Sequence, residues 1–309
     1  MQHLFEWMRG ERKRKGFVLA LGGGGGRGLA HLGVLDVLEA HELRPDAIVG
    51  SSIGALFGAM YAVHPDSGEL KQRILSFLDS DETFGSLNLP ALSSVEGAEA
   101  EDQTWLSRLT AAARQSILFT RVATDIAVAD VDKLIDICHT LCDADSFKEA
   151  KIPLYITAVQ FPSGECHIFS KDTKGSLPCA IAASMAVPGV FDPVKVGGER
   201  FLDGGIASEL PAKEAKMIAM PGQIAVAVNV GSRPSPDNEP GNVIGMLDWA
   251  TRIKALYLRQ YKKEHADVLI EPLVGFTQWH DFSNPDQEIE RGRQAALEQI
   301  PKLLKLVGG

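Results

Sequence analysis

The runs FVLAL (17–21) and IAVAVNV (224–230) are apolar on both faces of an extended chain. A strand exposed on one side alternates polar with apolar residues, so these two belong inside a sheet covered by helices above and below. Four further apolar β-type runs recur: DAIVG (46–50), PLYITAVQ (153–160), CHIFS (166–170) and DVLIEP (267–272). Helical patterns fall between them, at about 27–43, 53–63, 67–79, 105–119, 130–141, 209–219, 243–264 and 286–305. This alternation predicts an α/β fold with a largely parallel central sheet and helices on both faces. A chain of 309 residues accommodates it as one domain over 16–309, behind a tail at 1–15. An acidic stretch at 80–104 and a Pro-rich one at 232–241 read as surface excursions, the first opening an insert at about 80–125.

Charge narrows the function. A net charge of −9 argues against nucleic acid as partner, because such proteins carry a basic excess. The exception is local: RGERKRKG (9–16) sets five basic residues against one acid. A solvated tail is its plain reading, and peripheral contact with anionic lipid on an inner membrane surface the sharper one. No apolar run approaches the ~20 residues of a membrane-spanning helix, and residues 1–16 lack the apolar core of a secretory signal. The four cysteines match neither a disulfide framework nor a zinc site, so no metal is expected. Cys138 and Cys142, four apart on a predicted helix, read as core thiols, and a reducing cytoplasm fits.

Five consecutive glycines, Gly22 to Gly26, leave the first strand, and glycine gives up more backbone entropy on folding than any other residue. Gly23, Gly25 and Gly28 satisfy G-x-G-x-x-G between a strand and a helix. A dinucleotide site also wants an acid at the end of the next strand, yet that strand ends in Gly50-Ser51-Ser52. A P-loop wants lysine where Leu29 follows Gly28. No cofactor is expected. The reading left is a cradle of backbone N–H groups over Gly23, Gly24, Gly25, Gly26, Arg27 and Gly28, at the positive end of a helix dipole. Aimed at a reacting carbonyl, such donors form an oxyanion hole.

That reading needs a nucleophile, and GSSIG (50–54) supplies G-x-S-x-G with Ser52 at its centre, again between strand and helix. Gly50 and Gly54 remove the Cβ atoms that would crowd a sharp elbow. An N-capping serine in a glycine-rich turn is the plain alternative. It does not explain a second glycine-rich helix start one β-unit away. Both turns follow parallel strands and so face one edge of the sheet, where open α/β folds bind ligands.

A serine hydroxyl needs a proton acceptor. None of the eight histidines sits in an evident motif, and His31, three residues past the glycine run, reads as a core residue. Asp203 ends the strand-like ERFLD and is followed by Gly204 and Gly205, behind the unusual segment AASMAVPGVFDPV (182–194). Here the chain resembles the patatin-like phospholipases, particularly their compact bacterial members. The resemblance is carried by LALGGGGGRGLAHLGVL, IVGSSIGAL, AASMAVPGVFDPV with LDGG, AVAVNVGS and the late ADVLIEPLVGF…DFS, in order over most of 16–307. It implies a Ser–Asp dyad, with Ser52 as nucleophile, Asp203 as base and the amides around Gly24 to Gly26 as oxyanion hole. Arg27 matches the basic position of the family's glycine motif and is expected to order the loop.

A free aspartate, with a pKa near ~3.9, is a poor acceptor for a serine proton. It works if burial raises its pKa or if proton transfer accompanies attack. Gly204 and Gly205 are expected to let backbone crowd Asp203 and shed water from it.

The resulting expectation is a serine acyl hydrolase of lipid or other acyl esters, of phospholipase A or lysophospholipase type, needing no cofactor. Two rivals stay open. One is an α/β-hydrolase triad running Ser52, Asp203 and then His265 or His280; the other is a lipid-binding regulatory protein that keeps the fold without turnover. The stripe Trp105, Leu109 and Ile117 in the insert reads as a core helix, or as a lid.

Overall fold

The two runs that read as central strands are central. The computed structural model describes residues 15–80, 129–233, 239–275 and 281–308. Among them, eight strands form one sheet: β1 (Phe17–Leu21), β2 (Ala47–Ser51), β3 (Leu154–Phe161), β4 (Cys166–Phe169), β5 (Val194–Val196), β6 (Glu199–Asp203), β7 (Ile224–Val228) and β8 (Val268–Ile270). Their order is β5-β6-β3-β2-β1-β7-β8, with β4 pairing β3 off that path. The pairs β1–β2, β1–β7, β2–β3 and β7–β8 are parallel, which makes five adjacent strands parallel. β4, β5 and β6 join antiparallel, a mixed edge that the strand–helix alternation did not announce.

The helices are α1 (Ala30–Ala40), α2 (Ile53–Val63), α3 (Ser67–Leu78), α4 (Val131–Cys142), α5 (Leu177–Met185), α6 (Gly205–Ser208), α7 (Ala212–Ile218), α8 (Val243–Lys263) and α9 (Pro285–Val307). β1 shows why both faces must be covered. Phe17, Leu19 and Leu21 enter the larger core with side chains from α1, α2, α4, α5 and α9, while Val18 and Ala20 enter a second core with α7. That second core is alanine-rich (Ala20, Ala47, Ala225 and Ala227 against Ala212 and Ala215), so α7 lies close on the sheet. Cys138 and Cys142 are buried free thiols within α4. Burial pushes both thiols up, Cys142 to about 12, so neither is a ready thiolate.

The mixed edge positions the site. At Thr157, β3 pairs with Ser51 of β2 on one edge and with Ile168 of β4 on the other. One residue later Ala158 still pairs with β4, through His167, and its first edge has passed to Asp203 of β6. β2 runs parallel to β3 and β6 antiparallel, so their C-terminal ends meet head to head along that edge. Ser52 follows one end, and Asp203 is the other.

Candidate active site

Ser52 occupies the step between β2 and α2 with φ 53° and ψ −126°, a backbone that non-glycine residues rarely adopt. The turn survives because its surroundings over-determine it. A Cβ on Gly50 would run into the Cα of Ala55, and one on Gly54 into the carbonyl of Leu21. The Ala55 N–H closes the turn onto the Ser52 carbonyl at 2.8 Å. The Ser52 N–H, which no helical bond could take, donates to Ser184 Oγ at 2.8 Å. Ser184 is fully buried near the end of α5, and its carbonyl accepts the Gly204 N–H. One residue therefore ties the elbow to the turn that carries Asp203.

The Ser52 hydroxyl donates to Asp203 Oδ2 at 2.8 Å. The other carboxylate oxygen, Oδ1, accepts the Gly205 N–H at 2.6 Å. Asp203 is 6% exposed. Burial raises its pKa to about 7; the Gly205 N–H and the Ser52 hydroxyl pull it down, and the negative charge of Glu209 adds to the rise. Burial thus does to Asp203 what a basic carboxylate requires. Gly205 acts the other way: its N–H stabilises the carboxylate and fixes its orientation, a role the expectation of simple crowding did not include. Gly204 is bare for another reason, since a Cβ there would meet the Thr157 carbonyl.

The glycine loop stands beside Ser52. A Cβ on Gly23 would lie 3.2 Å from the Ser52 Cβ and 3.5 Å from the Glu209 Cγ. The Gly23 N–H already donates to the Glu209 carbonyl at 2.8 Å, which corrects its place in the donor set: Gly23 shapes the wall and offers no free amide. Gly25, at φ 57°, opens a 3₁₀ turn (Gly25–Leu29), whose first N–H groups have no partner inside the turn. Gly24 caps this turn, and Gly25 and Gly26 are its first two residues. Gly28 is bare because Ile53 packs where its Cβ would stand.

Arg27 is buried, and its Nε donates to the Val230 carbonyl at 3.1 Å. Burial lowers its pKa to about 10, with the charge of Glu209 opposing that fall. Its guanidinium is thereby tied to the segment after β7. His31 is fully buried, and its Nε2 donates to the Gly22 carbonyl at 2.8 Å in the neutral tautomer that bond requires. Burial lowers its pKa to about 4, so it supports the loop as a neutral ring.

The triad alternative fails at His265. That residue precedes β8 and lies at the edge where the parallel strands begin, opposite the edge that holds Ser52. His280, the basic cluster at 9–14 and the stripe Trp105, Leu109 and Ile117 lie outside the described residues. Ser184 and Glu209 escaped the sequence reading. The small-residue run AASMAVPG marked the neighbourhood of Ser184, but nothing in it distinguished that serine from a packing residue.

A family model described as patatin-like phospholipase matches residues 19–216, from within β1 to within α7. The chain belongs to the patatin-like phospholipase family. Among patatin-like and NTE relatives, an uncharacterized NTE family protein of Mycobacterium tuberculosis is 29% identical over 240 residues, covering 76% of this chain and 54% of that protein. A lysophospholipase NTE1 of Eremothecium gossypii is 28% identical over 218 residues, 69% of this chain and 12% of that protein. The chain thus spans about half the length of the mycobacterial relative. Among solved structures, VipD from Legionella pneumophila superposes with a TM-score of 0.49 at 16% identity, covering 96% of this chain and 67% of that one. The patatin-like span contains Ser52, Asp203 and the whole glycine loop, and β7 extends the same sheet beyond it by pairing with β1 along its full length.

Proposed function

We propose that the protein is a serine acyl hydrolase of lipid esters, of phospholipase or lysophospholipase type. The observation that carries this reading is the 2.8 Å hydrogen bond from the strained, elbow-held Ser52 hydroxyl to a buried Asp203 beside a glycine-rich helix start. Ser52 Oγ attacks the ester carbonyl as its proton passes to Asp203 Oδ2. The amides of Gly24 to Gly26 hold the tetrahedral oxyanion. Collapse expels the alcohol, which takes the proton from Asp203, and leaves an acyl-enzyme. Water, deprotonated by the same carboxylate, then releases the fatty acid and restores the serine. Family membership and the lysophospholipase named among the relatives support lipid as the acyl donor.

Residues 16–309 act in this reading as one hydrolase domain, with β7 and β8 extending the sheet beyond the family match, which ends at 216, and α9 packing on α1. We place the protein in the cytoplasm, where its four free cysteines stay reduced, with peripheral access to membrane lipid. Among the described residues, no helix is long and apolar enough to cross a membrane.

The purified protein is expected to release p-nitrophenol from a short-chain ester and fatty acid from a lysophospholipid. Absence of turnover on both, in protein that is folded by circular dichroism, would favour the regulatory alternative. The oxyanion assignment adds a quantitative expectation. At Gly25 a side chain is strained by φ 57°, so Gly25→Ala displaces the amides of the turn. Such donors act chiefly on developing charge, and kcat should fall by ~10²–10³ with KM little changed. Steady-state kinetics on the soluble ester separate the two; a rise in KM at constant kcat contradicts the assignment.

A further inference from the structure

Glu209 follows α6 and stands between the two halves of the site. Its carbonyl accepts the Gly23 N–H at 2.8 Å, and its Cγ lies 3.5 Å from where a Gly23 Cβ would stand. On its other side, a Cβ on Gly205 would lie 3.9 Å from the Glu209 Cβ and 2.9 Å from Asp203 Oδ1. Both positions are glycine, so neither puts a side chain between Glu209 and the loop or between Glu209 and Asp203. The dyad itself leaves this acid unused, since Ser52 and Gly205 already occupy the two oxygens of Asp203.

The carboxylate of Glu209 is held in place from two elements. Arg259 reaches in from α8 with its side chain 5% exposed, pairs with Glu209 and donates to the Ser232 carbonyl. Arg27 bears on the same acid from the glycine turn, and its Nε donates to the Val230 carbonyl at 3.1 Å. The two arginines thus grip 230–232, just after β7, and share Glu209 as a counter-ion. Lys262, further along α8, is committed elsewhere, to Glu214 at 2.6 Å and Ser208 at 3.1 Å. The residues that meet the Asp203 turn from β3 and α5 are Thr157, Ala158 and Ser184, and they carry no charge.

We propose that Glu209, clamped by Arg259, is a positioning residue for the reaction: its carbonyl fixes the wall beside Ser52, and its negative charge drives Asp203 to take the serine proton. The inference rests on the hydrolase reading for what Asp203 does with that proton. A like charge disfavours an ionised carboxylate and so strengthens it as a base, and the rise of Asp203 to about 7, chiefly the work of burial, includes this push. Two acids close together cost stability, and the arginines offset that cost. Arg259 therefore sets how much of the Glu209 charge reaches Asp203.

Carbon-13 NMR of the aspartate carboxyls, with the Asp203 signal assigned by its loss in Asp203→Asn, reads the titration without turnover. Glu209→Gln keeps the shape of the side chain and removes its charge, so the Asp203 midpoint should fall by ~1 pH unit. Arg259→Gln leaves Glu209 opposed by Arg27 but not by Arg259, and the midpoint should rise. If Glu209→Gln strands Arg259 and does not fold, the double variant Glu209→Gln, Arg259→Gln strands neither charge. Its midpoint should still fall, because the charge that bears on Asp203 is that of Glu209. On a soluble ester the rising limb of kcat/KM should move with the midpoint, and Glu209→Gln should lower the kcat plateau with KM little changed, as a weaker base requires. A midpoint that stays in place in folded Glu209→Gln or in the folded double variant, or that moves the same way in Glu209→Gln and Arg259→Gln, would reduce the pair to a structural brace and overturn the proposal. A wild type that hydrolyses nothing while its Asp203 midpoint responds as described upholds the action of Glu209 on Asp203 and contradicts the hydrolase reading.

Discussion

Asp203→Asn should lower kcat on a soluble ester by ~10²–10⁴-fold, the usual worth of a positioned general base, and should make the folded protein more stable at alkaline pH. Both effects come from one source. The base must be ionised to take the Ser52 proton, and burial has raised its pKa to about 7, so wild-type kcat/KM should climb with pH through that value. The linkage to stability has the opposite sign. The unfolded chain releases this proton near pH ~4, whereas the native state keeps it until about 7. Across that interval the native state binds more protons, so stability is fully present below about pH 4 and is lost as pH rises through about 7. The loss amounts to a few kcal/mol in order of magnitude, each pKa unit being worth ~1.4 kcal/mol. Asparagine does not titrate. Thermal melts of the two proteins at pH 5 and pH 8 should therefore show the advantage of Asp203→Asn growing with pH. Unchanged kcat with the rising limb still near pH 7 would assign the base elsewhere.

How much of this was legible in the sequence depends on whether a feature is local. The glycine run, the Ser52 elbow and the acid before Gly204-Gly205 are each encoded within a few residues, and each appears in the structure as a turn at the end of a strand. Uninterrupted apolar runs marked β1 and β7 as central for the same reason. The mixed edge was not legible. Antiparallel pairing of β6 with β3, beyond the point where β2 stops, is a long-range choice, yet it alone sets Asp203 against Ser52 across 151 residues of chain. α5 was missed because its alanines and its Pro at the first turn resemble an irregular small-residue segment. Ser184 went with it. Local pattern also could not show that the Gly23 amide is already engaged, since its acceptor is the carbonyl of Glu209, on the far side of Asp203 in sequence.

The central claim is that one hydroxyl, on Ser52, performs the attack. Its backbone is held at positive φ, its N–H by Ser184 and its Oγ by Asp203, so nucleophilicity is concentrated there and withheld from other serines near the site. Ser184 and Ser208 are fully buried, and their hydroxyls are engaged in structural hydrogen bonds. Removing the nucleophile of a serine hydrolase costs on the order of 10⁶ in kcat, which makes Ser52→Ala the most damaging conservative change available. The most direct measurement is peptide mass spectrometry after treatment with a fluorophosphonate. The account predicts a single phosphonyl adduct on Ser52, slowed in Asp203→Asn and absent from Ser52→Ala. An adduct on another serine, or labelling undiminished in Ser52→Ala, would contradict it.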